Sequence, residues 1–273
     1  LALVGSSVRT DWTRPVDRGR TSALIRILRL QESLLGPNDP SLVGTLMAIN
    51  LSGEVENRSD DRVLALERAA TILTQRFGPT DLSVLLCNEI RGMMLMGLGR
   101  EQDAVALGRQ IVAYWDSLPP RAKDPLLAAA SRRRLGLYLS IAEQHQEAAE
   151  QFRLTVQELD AIVGERHHLS AYARSGLGFS LFESGRHEEG LRESQAAMDV
   201  ALALPTTAFD QLQHMRVTHG HILAALGRHA EARPFLLDAW TNLYDQVIWP
   251  RFRWRRMLLQ DLLAGAIAAG NTD

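Results

Sequence analysis

A chain of 273 residues is long enough for one large domain or two small ones, and its hydrophobic content of 46% is ordinary for a globular protein. The formal net charge of −2 supplies no global field that would draw it to nucleic acid or to a membrane surface. Cys87 is the only cysteine, so an internal disulfide is excluded and either redox compartment stays open.

Residues 1–20 carry Gly, Ser and Pro without a helical period and read as an irregular lead-in. The chain opens Leu-Ala-Leu-Val without Met, which predicts a fragment or a processed product. Those four apolar residues fall far short of the roughly 20 that cross a bilayer. Thr21 to Leu35 reads as an amphipathic helix with Leu24, Ile27, Leu28 and Leu35 inward. Gly36-Pro37-Asn38-Asp39-Pro40 stops it, since Gly suits a helix C-cap and Pro cannot continue the helix. Ser41 to about Asn57 is the next helix, and the polar run Glu56 to Asp61 is its turn. Arg62 to Phe77 follows, then Gly78-Pro79-Thr80-Asp81, in which Asp81 can cap Leu82 to Leu98. Asp103 to Trp115, Leu126 to Ala142 and Gln146 to Val163 come next, with Ser117 to Pro125 as the longest loop. Leu169 to Leu204 breaks into two helices at Ser184-Gly185-Arg186. Ala208 to Leu226 and Ala230 to Gln246 form the last pair, with a local bend expected at Pro234. Trp249 to Ala269 reads as one further helix that closes the array, its arginines Arg251, Arg253, Arg255 and Arg256 supplying part of a polar face.

These helices repeat at a fixed period. Arg62, Ala104, Ala148, Gly190 and Ala232 share a column at steps of 42, 44, 42 and 42 residues. One position earlier stand Asp61, Asp103, Glu147, Glu189 and Glu231. Twelve before the anchor stand Asn50, Gly92, Gly136, Gly178 and Gly220, and nine before stand Leu95, Leu139, Leu181 and Leu223. Such a period marks a repeat array, in which a small residue lets two helices cross closely and stacked neighbours bury a continuous core.

The pattern resembles the tetratricopeptide repeat family, and in particular the 42-residue form of kinesin light chains. Gly92, Gly136, Gly178 and Gly220 match the small residue of that motif's first helix, and Ala104, Ala148, Gly190 and Ala232 that of its second. The segments Leu66 to Val84 and Leu28 to Val43 resemble its Leu-Gly-Pro-x-His-Pro link. The match covers roughly residues 24 to 245. It departs where Asn88, Arg132, Arg174 and Arg216 replace an early aromatic. The resemblance implies an all-α fold, a right-handed α-solenoid of about five helix-turn-helix repeats over 21–248, with a C-terminal capping helix and tail over 249–273.

No catalytic constellation stands out: there is no phosphate loop, metalloprotease motif or nucleophile elbow, and no cofactor or metal site is read from the chain. Cys87 sits in an apolar helix and reads as a buried thiol. His214, His219 and His221 lack the i, i+4 spacing of a metal pair and read as surface or groove-lining. Arg132-Arg133-Arg134 and the Arg251 to Arg256 run read as solvated faces, not as a nucleic-acid site.

In tetratricopeptide arrays the first helices line the concave surface. Carried over by column, the groove would be lined by Leu86, Glu89 and Met93, then Ala130, Arg133 and Leu137, then Tyr172, Ser175 and Phe179, then His214, Val217 and His221. That mixture suits an amphipathic helix or an extended peptide. The alternative is that Met93, Leu137 and Phe179 only pack between adjacent first helices. The resemblance thus implies a module that binds a protein or peptide and is not an enzyme. Such modules serve as the sensing or docking region of bacterial signalling proteins, receptor-type serine/threonine kinases or transcription activators. That setting implies the bacterial cytoplasm, or the periplasm if a membrane span precedes the array. A single lysine, Lys123, among 30 basic residues agrees with a bacterial source of GC-rich coding. The second reading is self-association through the Trp249 to Ala269 helix.

Overall fold

The computed structural model describes residues 18–51, 59–204, 209–243 and 251–270. Every regular element among them is a helix. The chain divides into two compact units, Leu1–Pro79 and Thr80–Asp273.

The first unit holds α1 (Arg18–Leu35), α2 (Leu42–Leu51) and α3 (Ser59–Phe77), with α2 packed on both others. Its core is Leu42, Leu46, Val63, Leu66, Ala69 and Ile72. Arg68 of α3 reaches Glu32 of α1 and the Pro37 carbonyl, which pins the turn between α1 and α2. One expectation fails here. Leu24 and Leu28 are half-buried, but Ile27 and Leu35 are 47% and 52% exposed. Among the described residues helix α1 packs mainly on α2, so only part of its apolar stripe finds a partner. Of the turn expected at Glu56 to Asp61, Ser59, Asp60 and Asp61 belong to α3, and residues 56–58 lie outside the described residues.

The second unit is built from four helical hairpins and one more helix. They are α4 (Leu82–Gly97) with α5 (Glu101–Ser117), α6 (Pro125–Ile141) with α7 (His145–Val163), α8 (His168–Glu183) with α9 (His187–Ala203), α10 (Phe209–Ala225) with α11 (His229–Leu243), and α12 (Arg251–Ala268). Each helix packs on the next in the chain, and each first helix from α6 onward also packs on the following first helix. Among the described residues the second helices make no comparable contact with one another. The first helices therefore form the closer, inner layer. Helix α11 runs on through Pro234.

The turn inside each hairpin is one motif used four times. The N–H of Arg100 donates to Leu95 O at 2.9 Å and that of Gly99 to Met96 O at 3.2 Å. The same pair of bonds recurs at Gln144/Glu143, Arg186/Gly185 and Arg228/Gly227. This is the Schellman arrangement, which needs a left-handed residue at its C′ position. Gly99, Gly185 and Gly227 supply it at φ of 72°, 88° and 74°; Glu143 takes φ 62° in the remaining copy. The acidic column beside the anchors completes these turns. Arg100, Arg186 and Arg228 pair with Asp103, Glu189 and Glu231 three residues on. In the Glu143 copy the turn residue is Gln144, and Glu147 instead receives Arg109 from α5 at 2.7 Å. Between hairpins, Asp81 accepts from Ser83 N at 2.9 Å, as its position implies, and Asp124 and His167 cap α6 and α8 in the same way.

Candidate functional site

The inner layer is tied together by polar and aromatic contacts from one first helix to the next. Glu89 of α4 is buried, yet it accepts from Ser131 Oγ of α6 at 2.5 Å and pairs with Arg134 of the same helix. Trp115 Nε1 donates to that serine at 3.1 Å. Arg133 of α6 lies over the Tyr172 ring of α8, 5.0 Å from its centroid. Tyr172 in turn meets His214 of α10 edge-on at 6.0 Å. Phe179 of α8 lies between His145 of α7 at 6.1 Å and His221 of α10 at 5.9 Å.

Of the residues the sequence assigns to a groove, Leu86 is 47% exposed, and Met93, Ala130, Arg133, Tyr172, Phe179, His214 and His221 are half-buried. Glu89, Leu137, Ser175 and Val217 are buried. Glu89 therefore serves as a link between α4 and α6.

The departures from the family's aromatic column have a structural role that the sequence reading missed. Arg132 donates from Nε to Glu158 at 3.1 Å, from Nη1 to Gln151 at 3.3 Å, and also reaches Asp116. Arg174 joins Asp160 at 2.5 Å and Glu193 at 3.5 Å. Each of these two arginines binds the second helix of the preceding hairpin to that of its own. Arg216 pairs with Asp238 in its own hairpin. The planar five-donor guanidinium suits this three-way junction. A signal was available: Asp116 and Asp160 stand 44 residues apart and Gln151 and Glu193 stand 42 apart, on the same period as the arginines.

The three arginines of α6 thus have three different settings. Arg132 turns to the second helices and Arg134 to Glu89, whereas Arg133 faces Tyr172 with no carboxylate partner among the described residues. The solvated face expected of this run is not what forms, because Arg132 and Arg134 are drawn into ion pairs.

His219 corrects another expectation. It is 1% exposed, with Nδ1 at 3.0 Å from Ser194 Oγ and its ring edge-on to Phe235 at 4.9 Å. Burial, with smaller and mixed charge effects, pushes its pKa down to about 4. It lies off the inner face, turned toward Ser194 of α9 and Phe235 of α11. Cys87 is buried, as read. Among the described residues no group of three or more His, Cys, Asp or Glu side chains could hold a metal, and no helix is long and apolar enough to cross a membrane. The arginines 251 to 255, Trp249 and Trp254 lie outside the residues whose side chains are described.

Stacked helical hairpins with small residues at the crossings define a tetratricopeptide-like helical-repeat fold. Solved structures with this fold include a kinesin light chain from Podospora anserina described as having nearly identical TPR-like repeats. It shares 18% identity over 68% of this chain and 88% of that one, with a TM-score of 0.58. A single-site variant of that light chain matches at 17% identity over 75% and 95%, with a TM-score of 0.61. BtubC (BKLC) from P. vanneervenii matches at 14% identity over 85% and 94%, with a TM-score of 0.63. At these identities the likeness is one of fold. No protein-family model and no curated protein matches the sequence.

Proposed function

We propose that this chain is a protein-interaction scaffold whose inner layer of first helices receives a peptide or protein segment. Its chemistry is recognition, not catalysis. The observation that carries the reading is Arg133. It is half-buried in the inner layer and lies over Tyr172, with no acid paired to it among the described residues, while its two neighbours in sequence are both paired. A guanidinium set over an aromatic ring keeps N–H donors for an acceptor from outside. Leu86, Ala130 and Met93 on one side, with Tyr172, Phe179 and His214 on the other, supply half-exposed apolar and aromatic surface around that cation. The ligand is then a segment with apolar side chains and a carboxylate. The bacterial signalling context, as the docking or sensing region of a receptor-type kinase or transcription activator, belongs to the same proposal.

The test is a peptide-display selection against the wild-type chain, counter-selected against the double variant Phe179→Ala, Arg133→Glu. Enrichment of acidic, apolar peptides that the variant fails to hold supports the reading. Peptides bound equally by a variant of unchanged helical content would remove it.

A second reading is self-association, favoured by one observation. Helix α12 presents Leu259, Leu263 and Ile267 on a single stripe, 48%, 62% and 59% exposed. Sedimentation of the wild type beside Leu263→Glu separates the two readings, since only self-association predicts a mass that the substitution lowers.

A further inference from the structure

The inner column one position after the small residue reads Met93, Leu137, Phe179 and His221. Three apolar side chains give way to an imidazole in the row where α12 docks. Five positions after the small residue the rows read Gly97, Ile141, Glu183 and Ala225, so the only acid of that column stands on α8 beside that imidazole. His221 Nδ1 lies 2.8 Å from Asp261 Oδ2 on α12, and Nε2 lies 3.4 Å from Glu183 Oε1. A ring whose two nitrogens both face carboxylates can satisfy both only by donating from each, as an imidazolium. The Phe179 and Phe182 rings stand around it at 5.9 and 6.3 Å.

The rest of the described α12 seam is small. Among its described side chains only Leu258 is fully buried, at 1%, in a cluster with Val217, Leu236 and Ala239 of α10 and α11, and half-buried Met257 and Leu262 pack against that cluster. Leu259, Leu263 and Ile267 face away. With three apolar side chains in the described part of the seam, the polar contacts of α12 carry a share of its docking.

We propose that α12 is a proton-gated latch: the His221 imidazolium clips it to α8 and α10, and loss of that proton releases it and bares the apolar surface under Leu258. The charged groups that face the ring are Asp261 from α12 and Glu183 from α8. His145 of α7 and His187 of α9 meet the Phe179 and Phe182 rings beside it, and His229 of α11 faces Gly265 farther along α12. Burial draws the His221 pKa down, but the hydrogen bonds from Asp261 and Glu183 and their charges outweigh it and hold the value at about 9. A histidine pKa raised above its ordinary 6.5 contributes stability that is fully present below 6.5 and lost as pH rises through 9. The latch is closed at neutral pH and opens in alkali.

The experiment is hydrogen exchange of the full chain between pH 7 and pH 10, corrected for intrinsic rates, with α12 amides compared with those of α8. In the wild type, α12 loses about tenfold or more of its protection over that range while α8 keeps its own. Asp261→Asn and His221→Gln bring α12 to the weakly protected level already at pH 7. If His221→Gln fails to fold, Asp261→Asn alone decides. Protection of α12 that falls no faster than that of α8, Asp261→Asn without effect at pH 7, or ring nitrogen shifts showing a neutral His221 at pH 7.5 would each overturn the latch.

Discussion

Gly178 and Gly190 face each other across the α8–α9 crossing so closely that neither has room for a methyl group. A Cβ on Gly178 would stand 2.9 Å from Gly190 O and 2.8 Å from Ser194 N, and one on Gly190 would stand 2.7 Å from Gly178 O. The obstacle is backbone, which cannot rotate aside. Gly178→Ala and Gly190→Ala are each expected to lower stability by about 1–3 kcal/mol in chemical denaturation. Gly97→Ala serves as the counterpart: it ends α4 with nothing within 4 Å of its added Cβ, and it is expected to gain about 0.5–1 kcal/mol. Equal effects at all three sites would mean that the crossing is looser than it is drawn.

Glu143 carries a conformation that three sister turns give to glycine. Its left-handed φ costs roughly 1 kcal/mol that glycine does not incur. Glu143→Gly is therefore expected to raise the denaturation midpoint, offset in part by the greater freedom of glycine in the unfolded chain. A lowered midpoint would show that the Glu143 side chain contributes more than its backbone costs.

Arg132 is the junction of α5, α6 and α7. Its side chain is 8% exposed, whereas Asp116 and Glu158 are 45% and 30% exposed. Removing the cation leaves two carboxylates that water can partly reach, so Arg132→Ala should cost about 1–3 kcal/mol, below the figure for a fully buried pair. Arg132→Lys should recover little, because an ammonium cannot span three acceptors in one plane. Full recovery by lysine would reduce the junction to a point charge.

The acid limb of the stability curve has its own group. His219 is neutral in its buried site, with a pKa of about 4, and gains a proton more readily when unfolded. Between pH 6.5 and 4 the unfolded chain binds more protons, so stability falls as pH falls, and the slope levels below 4. His219→Gln should flatten that window in pH-dependent denaturation. An unchanged slope would place the acid sensitivity elsewhere.

The repeat was legible because helix packing imposes spacing. Gly178 and Ala232 mark crossings wherever they fall in the chain, and a 42-residue column shows them without coordinates. The reason for each glycine was not legible. Gly92 makes room for the Tyr138 hydroxyl of the next first helix and Gly136 for the Phe152 ring, while only the Gly178 row brings two backbones together. Exposure along a column was also hidden. Glu89 and Arg133 share one position in adjacent repeats, but Glu89 is drawn inward by Arg134 and Ser131, and Arg133 is left on Tyr172. That choice depends on neighbours 39 to 45 residues away, which periodicity counts but does not orient. Helix α1 shows the same limit: its apolar period is real, but Ile27 meets no helix among the described residues.

The measurement that bears most directly on the scaffold is the affinity of a display-selected peptide for the wild type, for Arg133→Glu and for Arg192→Glu, an exposed arginine on the second helix α9. Recognition by the inner layer predicts a loss of tenfold or more at Arg133 and wild-type affinity at Arg192. Binding that survives Arg133→Glu and is lost with Arg192→Glu would move the interaction surface to the outer helices and contradict the account.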